Sequence, residues 1–448
     1  MENFNAISWI NTLPSGWKAV KLKYLLEQGK GSMKVGPFGS QLSGKDFTDE
    51  GYWVYNQKVV VNQDFDETDA FISEDKYNSM DGFQVETGDI LITTRGTIGR
   101  ICRVPKVYHP GIIHPCIIKF RIDEEKVLYN LVRLLFNESN MIKDQLDFMS
   151  NATTIDVVYS EPLKNVYIPI APLNVQCKLT SYLQDKCSDI DTMTADIQSE
   201  IDTLEKYKRS VITEAVTKGL DKDVEMKDSG IEWIGKIPYT WNVGKIKFYV
   251  DKVGSGKTPK GDEKLYTQGE IFFLRSQNIF DTGIVLDEEP TVITDAIDAE
   301  MANTRVLFDD VLLNITGGSI GRCCIYKFKN RANVNQHVCI IRTKKDKILP
   351  AYMHYFWISN LGQTAINLYQ TGGNREGMSA DAIKNTPIPI MSIQEQKDIV
   401  QYLDDKCSNI DIAVSQKQEQ LNILNDYKKS LIYEYVTGKK EVPSSWQN

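Results

Sequence analysis

Arginines and lysines set in glycine-rich turns are the residues of this chain best placed to do chemistry, and that chemistry is the binding of phosphate-like charge. RGTIGR at 95–100 holds its glycines between Arg95 and Arg100, and a related turn, GGSIGR at 317–322, ends on Arg322. From Ile90 to Arg121 there are six basic residues and no acid, whereas Asp64 to Asp89 just upstream carries nine acids and one lysine. The second half repeats the arrangement. Arg305 to Lys347 has nine basic residues and three acids, and the overlapping stretch Asp262 to Asp310 is strongly acidic. A local basic patch, more than total charge, is the electrostatic footprint of phosphate binding. A solvated surface of mixed charge would give the same segments.

Two loops add lysines and exposed backbone N–H groups. They are GSMKVGPFGSQLSGKD at 31–46 and GSGKTPKGD at 254–262. GSGKT invites a nucleotide-binding reading, which fails on spacing. The phosphate loop needs a glycine five residues before Gly256, position 251 is Asp, and Pro259 follows at once. Such loops can hold a nucleic-acid phosphate or be plain turns. Catalytic patterns are missing: four histidines and eight cysteines show no metal-ligand spacing and no CxxC, and there is no Gly-x-Ser-x-Gly turn. His114 and His337 could act as bases, but each precedes a strand-like run, CIIKF or CIIRT, where packing is the plainer role. The expectation is a binding protein with no metal and no cofactor.

Composition sets outer limits. The chain has 448 residues, a net charge of −8, 42% hydrophobic and 25% charged residues. That is globular, with room for two to four domains. No apolar run approaches the ~18–20 residues needed to span a bilayer. The N-terminus lacks the basic and apolar regions of a signal peptide, and the scattered cysteines read as reduced thiols. A cytoplasmic protein without membrane contact is expected.

The elements that must position these turns follow from a repeat. Tyr182 to Thr217 recurs, shifted by 220 residues, as Tyr402 to Thr437, with 17 of 36 positions identical and no gap. Leu183, Cys187, Ile190, Ile197, Ile201, Leu204 and Val211 step by fours and threes, with Thr194 and Lys208 in the gaps. The second copy places Leu403, Cys407, Ile410, Val414, Leu421, Leu424 and Leu431 likewise, with Lys417 and Lys428 in the gaps. This is the heptad of a coiled-coil stripe, uninterrupted by Gly or Pro. One such stripe has nothing to bury against, but two in one chain can bury each other. If a twofold axis relates the halves, the pair is antiparallel; an ordinary amphipathic helix on a globular core is the alternative reading of each stripe.

The rest of the chain also repeats. WIxxLPxxW from Trp9 to Trp17 returns as WIGKIPYTW from Trp233 to Trp241, and LKY-type openings follow at 21–24 and 245–248. DILITT (89–94) and VLLNIT (311–316) read as strands that run into the glycine turns. Between matching blocks the halves diverge, as in GYWVYNQKVVVNQDF (51–65) against GEIFFLRSQNIFDTG (269–283). A shared scaffold with different surfaces suits two readers of two targets. Asn174 and Ser392 are candidate starts for the long helices, and 219–235 reads as a polar linker.

KDSGIEWIGKIP at 227–238, the PIP…QxxIxxYLDxK element at 387–406, and the loops GPFGS (36–40) and GTIGR (96–100) resemble the DNA specificity subunit of type I restriction-modification enzymes over essentially the full chain. The resemblance implies an α+β fold of two tandem mixed α/β target-recognition domains, separated by two long helices that pair as an antiparallel, pseudo-twofold coiled coil. It divides the chain into a first recognition domain (1–172), a first helix (173–219), a linker (220–235), a second recognition domain (236–391), a second helix (392–438) and a tail (439–448). Each domain is expected to read one half of a split site on double-stranded DNA through the major groove. By the same resemblance the helices are expected to act as a ruler and to dock two methyltransferase subunits, with restriction/translocase subunits joining through the complex. The subunit itself is expected to do no chemistry within its adenine methyltransferase and endonuclease complex. One departure is the pre-helix loop MSNATTID, which lacks the Gly-Gly of QTGGNREGMS.

Base readout needs Arg, Lys, Asn or Gln at groove edges. The candidates are Lys34, Ser40, Gln41, Arg95, Thr97 and Arg100 in the first half. In the second they are Lys257, Thr258, Gln277, Asn278, Ser319, Arg322, Asn374 and Arg375. Each could equally hold a phosphate, which positions without specifying. Three other readings stay open: a specificity subunit of a methyltransferase-only complex, a protein-binding adaptor, and a nuclease or methyltransferase whose site has no known motif.

Overall fold

The computed structural model describes residues 7–446 apart from 30, 151–156, 260–268 and 371–376. The chain forms two compact units, Met1–Ile197 with Glu419–Asn448, and Gln198–Gln418. Two long helices, Leu173–Lys218 and Ile393–Val436, contribute one stretch each to both units. Neither contains Gly or Pro. Pro172 stands just before the first, where its missing N–H costs nothing, and Gly219 follows it at φ +76°. Ser392 caps the second by accepting the Glu395 N–H at 3.2 Å, and Gly438 at φ +70° follows its end.

In the first unit a four-stranded antiparallel sheet runs in the order Met33–Val35, Ile117–Phe120, Ile90–Thr93, Ile101–Arg103. A second sheet has the order Phe47–Thr48, Phe71–Ile72, Tyr52–Tyr55, Gly111–Ile113, its last pair parallel. Strand Lys18–Lys21 pairs with Tyr167–Ile170, which leads into the first long helix. The second unit builds the same first sheet from Val250–Ser255, Val338–Thr343, Val311–Asn314 and Cys323–Ile325. Its second sheet differs at the edge: Val292–Ile293, Ile271–Leu274, Ala332–Val334, then Arg305–Val306. The stretch read as a loop at 31–46 contains strand Met33–Val35, and the linker contains Met226–Asp228, paired with Lys236–Pro238. Both are short pairings that polar composition hides.

Each unit buries one helix start against one helix end. In the first, Leu179, Leu183, Cys187 and Ile190 share a core with Leu431, Ile432, Tyr435 and Val436. In the second, Val211, Ile212, Ala215 and Val216 share one with Ile399, Leu403 and Cys407. Ile201, Ile410 and Leu421 are also buried, and Ile197, Leu204, Val414 and Leu424 are half-buried. The helices run antiparallel in both units. Tyr182 meets Tyr435 and Asp191 meets Lys428 in one; Glu200 meets Lys417 and Lys208 meets Asp411 in the other. The stripe lysines therefore have carboxylate partners, at 2.7 Å for Lys428–Asp191 and 2.6 Å for Lys208–Asp411.

A buried glutamine ties each helix to its sheet domain. Gln176 accepts the Leu128 N–H at 3.0 Å and donates to Lys126 and Ala171 carbonyls. Gln396 does the same with Leu349, Lys347 and Met391. Such fully bonded buried amides fix orientation, because any other pose leaves polar groups unpaired.

Candidate nucleic-acid interface

Strand Ile90–Thr93 ends in the turn that carries Arg95, Thr97 and Arg100, all exposed. Gly96 and Gly99 have φ of +65° and +78°, which favours glycine there. Three side chains hold the turn. Buried Thr93 donates its hydroxyl to the Thr97 carbonyl and accepts the Arg100 N–H at 3.0 Å. The Gln57 amide lies 2.8 Å from both the Arg95 carbonyl and the Thr97 N–H, with its NH2 donating to the first and its oxygen accepting the second. Asn137 takes both the N–H and the carbonyl of Ile101 at 2.8 Å, and its own carbonyl accepts from the Arg100 guanidinium.

The second unit places a comparable turn after Val311–Asn314. Gly317 and Gly321 have φ of +71° and +88°. Buried Asn314 donates to the Ser319 hydroxyl at 3.1 Å and to the Ser276 carbonyl at 2.8 Å. Gln363 donates to the Gly321 carbonyl at 3.1 Å. Exposed Arg322 lies over the Phe280 ring, 4.8 Å from its centroid. That stacking leaves the guanidinium edge open.

The lysine loops leave the same end of each first sheet as these turns. Gly36 follows strand Met33–Val35 and donates to Ile117, whose strand partner is Thr93. Gly256 likewise donates to Val338, the partner of Asn314. A Cβ on either glycine would strike backbone, at 2.2 Å from His114 O or 1.9 Å from Val334 O. Exposed Ser40 and Gln41, and exposed Lys257 and Thr258, project from these loops. Thr258 donates to the Gln336 side chain.

Not every candidate joins this corner. Lys34 sits within its strand, its ammonium 4.5 Å from the Phe83 ring centroid. Gln277 is exposed in the single turn Ser276–Asn278. Asn278 is corrected: it is buried, accepts the Arg275 N–H at 2.9 Å and donates to the Val285 carbonyl at 3.0 Å, so its amide shapes the turn. Asn374, Arg375 and most of the two pre-helix loops lie outside the described residues. His114 faces the Cys116 sulfur and His337 the Thr316 hydroxyl. Both are hydrogen-bonding contacts within the fold, and burial lowers the His114 pKa.

Much of the basic charge is spent inside the fold. Buried Asp89 holds Arg121 at 2.6 Å and Lys119 at 3.3 Å, and buried Asp310 holds Arg342 at 2.7 Å. These contacts raise the pKa of both arginines. Burial opposes ionisation of Asp298, yet Arg305 and Arg331 hold it below its usual range. Lys327 and Lys345 flank Asp309 at 2.6 Å each. In the second half the acidic and basic runs supply many of each other's partners; in the first, among the described residues, only Glu86 and Asp89 pair with Lys119 and Arg121. Exposed at the turn corner are Arg95, Lys257, Arg322 and Arg100, the last with one guanidinium bond to the Asn137 carbonyl. Gln57, Thr93, Asn137 and Asn314 have no sequence signal of their own; only the fold brings them to the turns. Among the described residues no group of three or more His, Cys, Asp or Glu could hold a metal ion.

The family model of the type I restriction modification DNA specificity domain matches residues 14–203 and again 238–422. The chain belongs to the type I DNA specificity family. The specificity subunit of type I restriction enzyme MjaVIII from Methanocaldococcus jannaschii is 24% identical over 98% of this chain and 96% of its own length. That of EcoBI from Escherichia coli is 22% identical over 89% and 76%. A solved structure titled for complex assembly and conformational transition of the type I R-M system shares the fold, with TM-score 0.67 and 15% identity over 96% of this chain and 99% of that one. Type I specificity subunits direct restriction-modification complexes to DNA and are not their catalytic subunits. No helix among the described residues is long and apolar enough to cross a membrane.

Proposed function

We propose that this specificity subunit reads a two-part site on double-stranded DNA, one half per unit. The glycine turn and lysine loop at one end of each first sheet supply the contacts. The observation that carries the reading is the recurrence of one corner in both units, RGTIGR with Gly36–Gln41 and GGSIGR with Gly256–Thr258, beside neighbours that differ. Helix Gln57–Asn62 adjoins the first turn, whereas hairpin Ile279–Ile284 adjoins the second. A shared frame with unlike surroundings gives two specificities. Arg95, Thr97, Arg100, Lys257 and Arg322 make base or phosphate contacts, and Ser40, Gln41, Thr258, Gln277 and Ser319 add hydrogen bonds.

The long helices set the spacing between half-sites and offer their exposed faces to two methyltransferase subunits, with nuclease subunits joining through the complex. The test is a binding series on duplex DNA carrying the methylated motif of the host, with the chain assembled with its partner subunits. Affinity is expected to fall steeply with salt. Arg322→Ala should relax discrimination in one half only; equal loss in both halves, or a flat salt response, contradicts the reading.

A further inference from the structure

Two turns of nearly the same sequence are gripped by different side chains. In the first unit the grip of Thr93 and Asn137 is joined by one from the diverging segment, through Gln57, the first residue of helix Gln57–Asn62. Its amide bonds the turn backbone twice, at 2.8 Å each, and a Cβ on Gly96 would lie 2.8 Å from it. Turn and amide are therefore in direct contact. Gln57 is itself fixed. Asn56 caps the helix by accepting the Lys58 N–H at 2.9 Å and donates to Asp69 at 2.8 Å. In the second unit the strand residue Asn314 holds the turn at Ser319, as Thr93 holds the first, and Gln363 bonds the turn at Gly321; the diverging segment there offers the Ser276 carbonyl, which accepts from Asn314.

We infer that Gln57 is a positioning residue for first-half readout: from the segment where the halves diverge, it sets the backbone of Arg95–Thr97 and so the aim of the turn's side chains. The inference rests on the two-reader function proposed above. It explains how near-identical turns could read unlike sequences. The turn supplies the contacting groups and its neighbour sets their angle. Readout demands placement to within a fraction of an ångström, which supporting hydrogen bonds provide. Loss of two such bonds should blur sequence preference without removing any charge.

The test expresses the full chain with its cognate partner subunits and maps methylated motifs for wild type, Gln57→Ala and Gln57→Met. The methionine keeps the bulk against Gly96 and removes both hydrogen bonds. The expected result is a methylated motif degenerate in one half and unchanged in the other. In binding to a randomised duplex pool, preference for the matched half should fall about tenfold, while the salt slope stays at the wild-type value. An intact motif in both variants, or a uniform loss of methylation with no change of motif, overturns the inference and makes Gln57 merely structural. Failure of both variants to fold overturns it too. A wild-type chain that yields no two-part motif instead defeats the two-reader function, and this inference with it.

Discussion

Arg95 and Arg121 lie in one basic run of sequence, and the fold separates their roles. Arg121 spans Asp89 and Glu86, and Asp89 is buried. Arg121→Ala leaves that carboxylate with Lys119 as its one cation, beside the Glu86 N–H, and should cost about 2 kcal/mol or more in denaturant unfolding, with little change in the salt slope of DNA binding. Arg95→Ala should do the reverse. Stability stays within about 0.5 kcal/mol, and the salt slope drops by about one. A second residue-scale prediction concerns His354, whose Nδ1 is shut off from solvent without a partner. Burial, with Lys208 nearby, lowers its pKa to about 4 from 6.5. Between those values the unfolded state binds more protons, so this contribution to stability is full above about 6.5 and is lost as pH falls toward 4. His354→Leu should remove on the order of 2 kcal/mol of acid sensitivity between pH 7 and 4, read as the difference between two pH–stability curves. Identical curves would rule this out.

At the scale of elements, the long helices were the most legible part of the chain. A four-three stripe without Gly or Pro leaves few alternatives, and Leu183 and Leu403 are fully buried. Either residue replaced by Ala should cost about 3 kcal/mol, measured by thermal unfolding of the unit that buries it. The lysine partners were not legible, because an ion pair depends on the register of an antiparallel contact that one helix does not reveal. Lys428 shows what register adds. It sits 2.7 Å from Glu138 as well as Asp191, and burial of Glu138 is outweighed so that its pKa stays lowered. Lys428→Met removes the ammonium that holds the Glu138 pKa down and leaves Glu138 with Arg133 at 3.3 Å; the stability that this carboxylate loses as pH falls should therefore shrink, read as the difference between two pH–stability curves, whereas Lys429→Met, on an exposed face, should leave the curve unchanged. Short strands escaped for a related reason. Met33–Val35 lies amid glycine and serine and acquires its partner, Ile118–Phe120, only in the fold. The glycine turns were visible as motifs. Their supports were not, since Gln57 and Asn137 are about 40 residues from the groups they hold.

For the whole molecule, the repeat explains why two units share a frame and why their second sheets differ: the frame carries the turns, and the variable segments surround them. If the helices set the gap between half-sites, adding one heptad to both, where one unit gives way to the other, preserves the stripe and lengthens each helix by roughly 10 Å. The methylated motif should then keep both halves and gain about three base pairs of gap. A gap that does not change would separate the helices from the spacing. That two units read two halves of one site is tested most directly by mapping methylated adenines in host DNA with this chain present and with it deleted. A two-part motif with a gap of fixed length should lose its methyl groups on deletion. An unbroken motif, or methylation that does not depend on the chain, would contradict it.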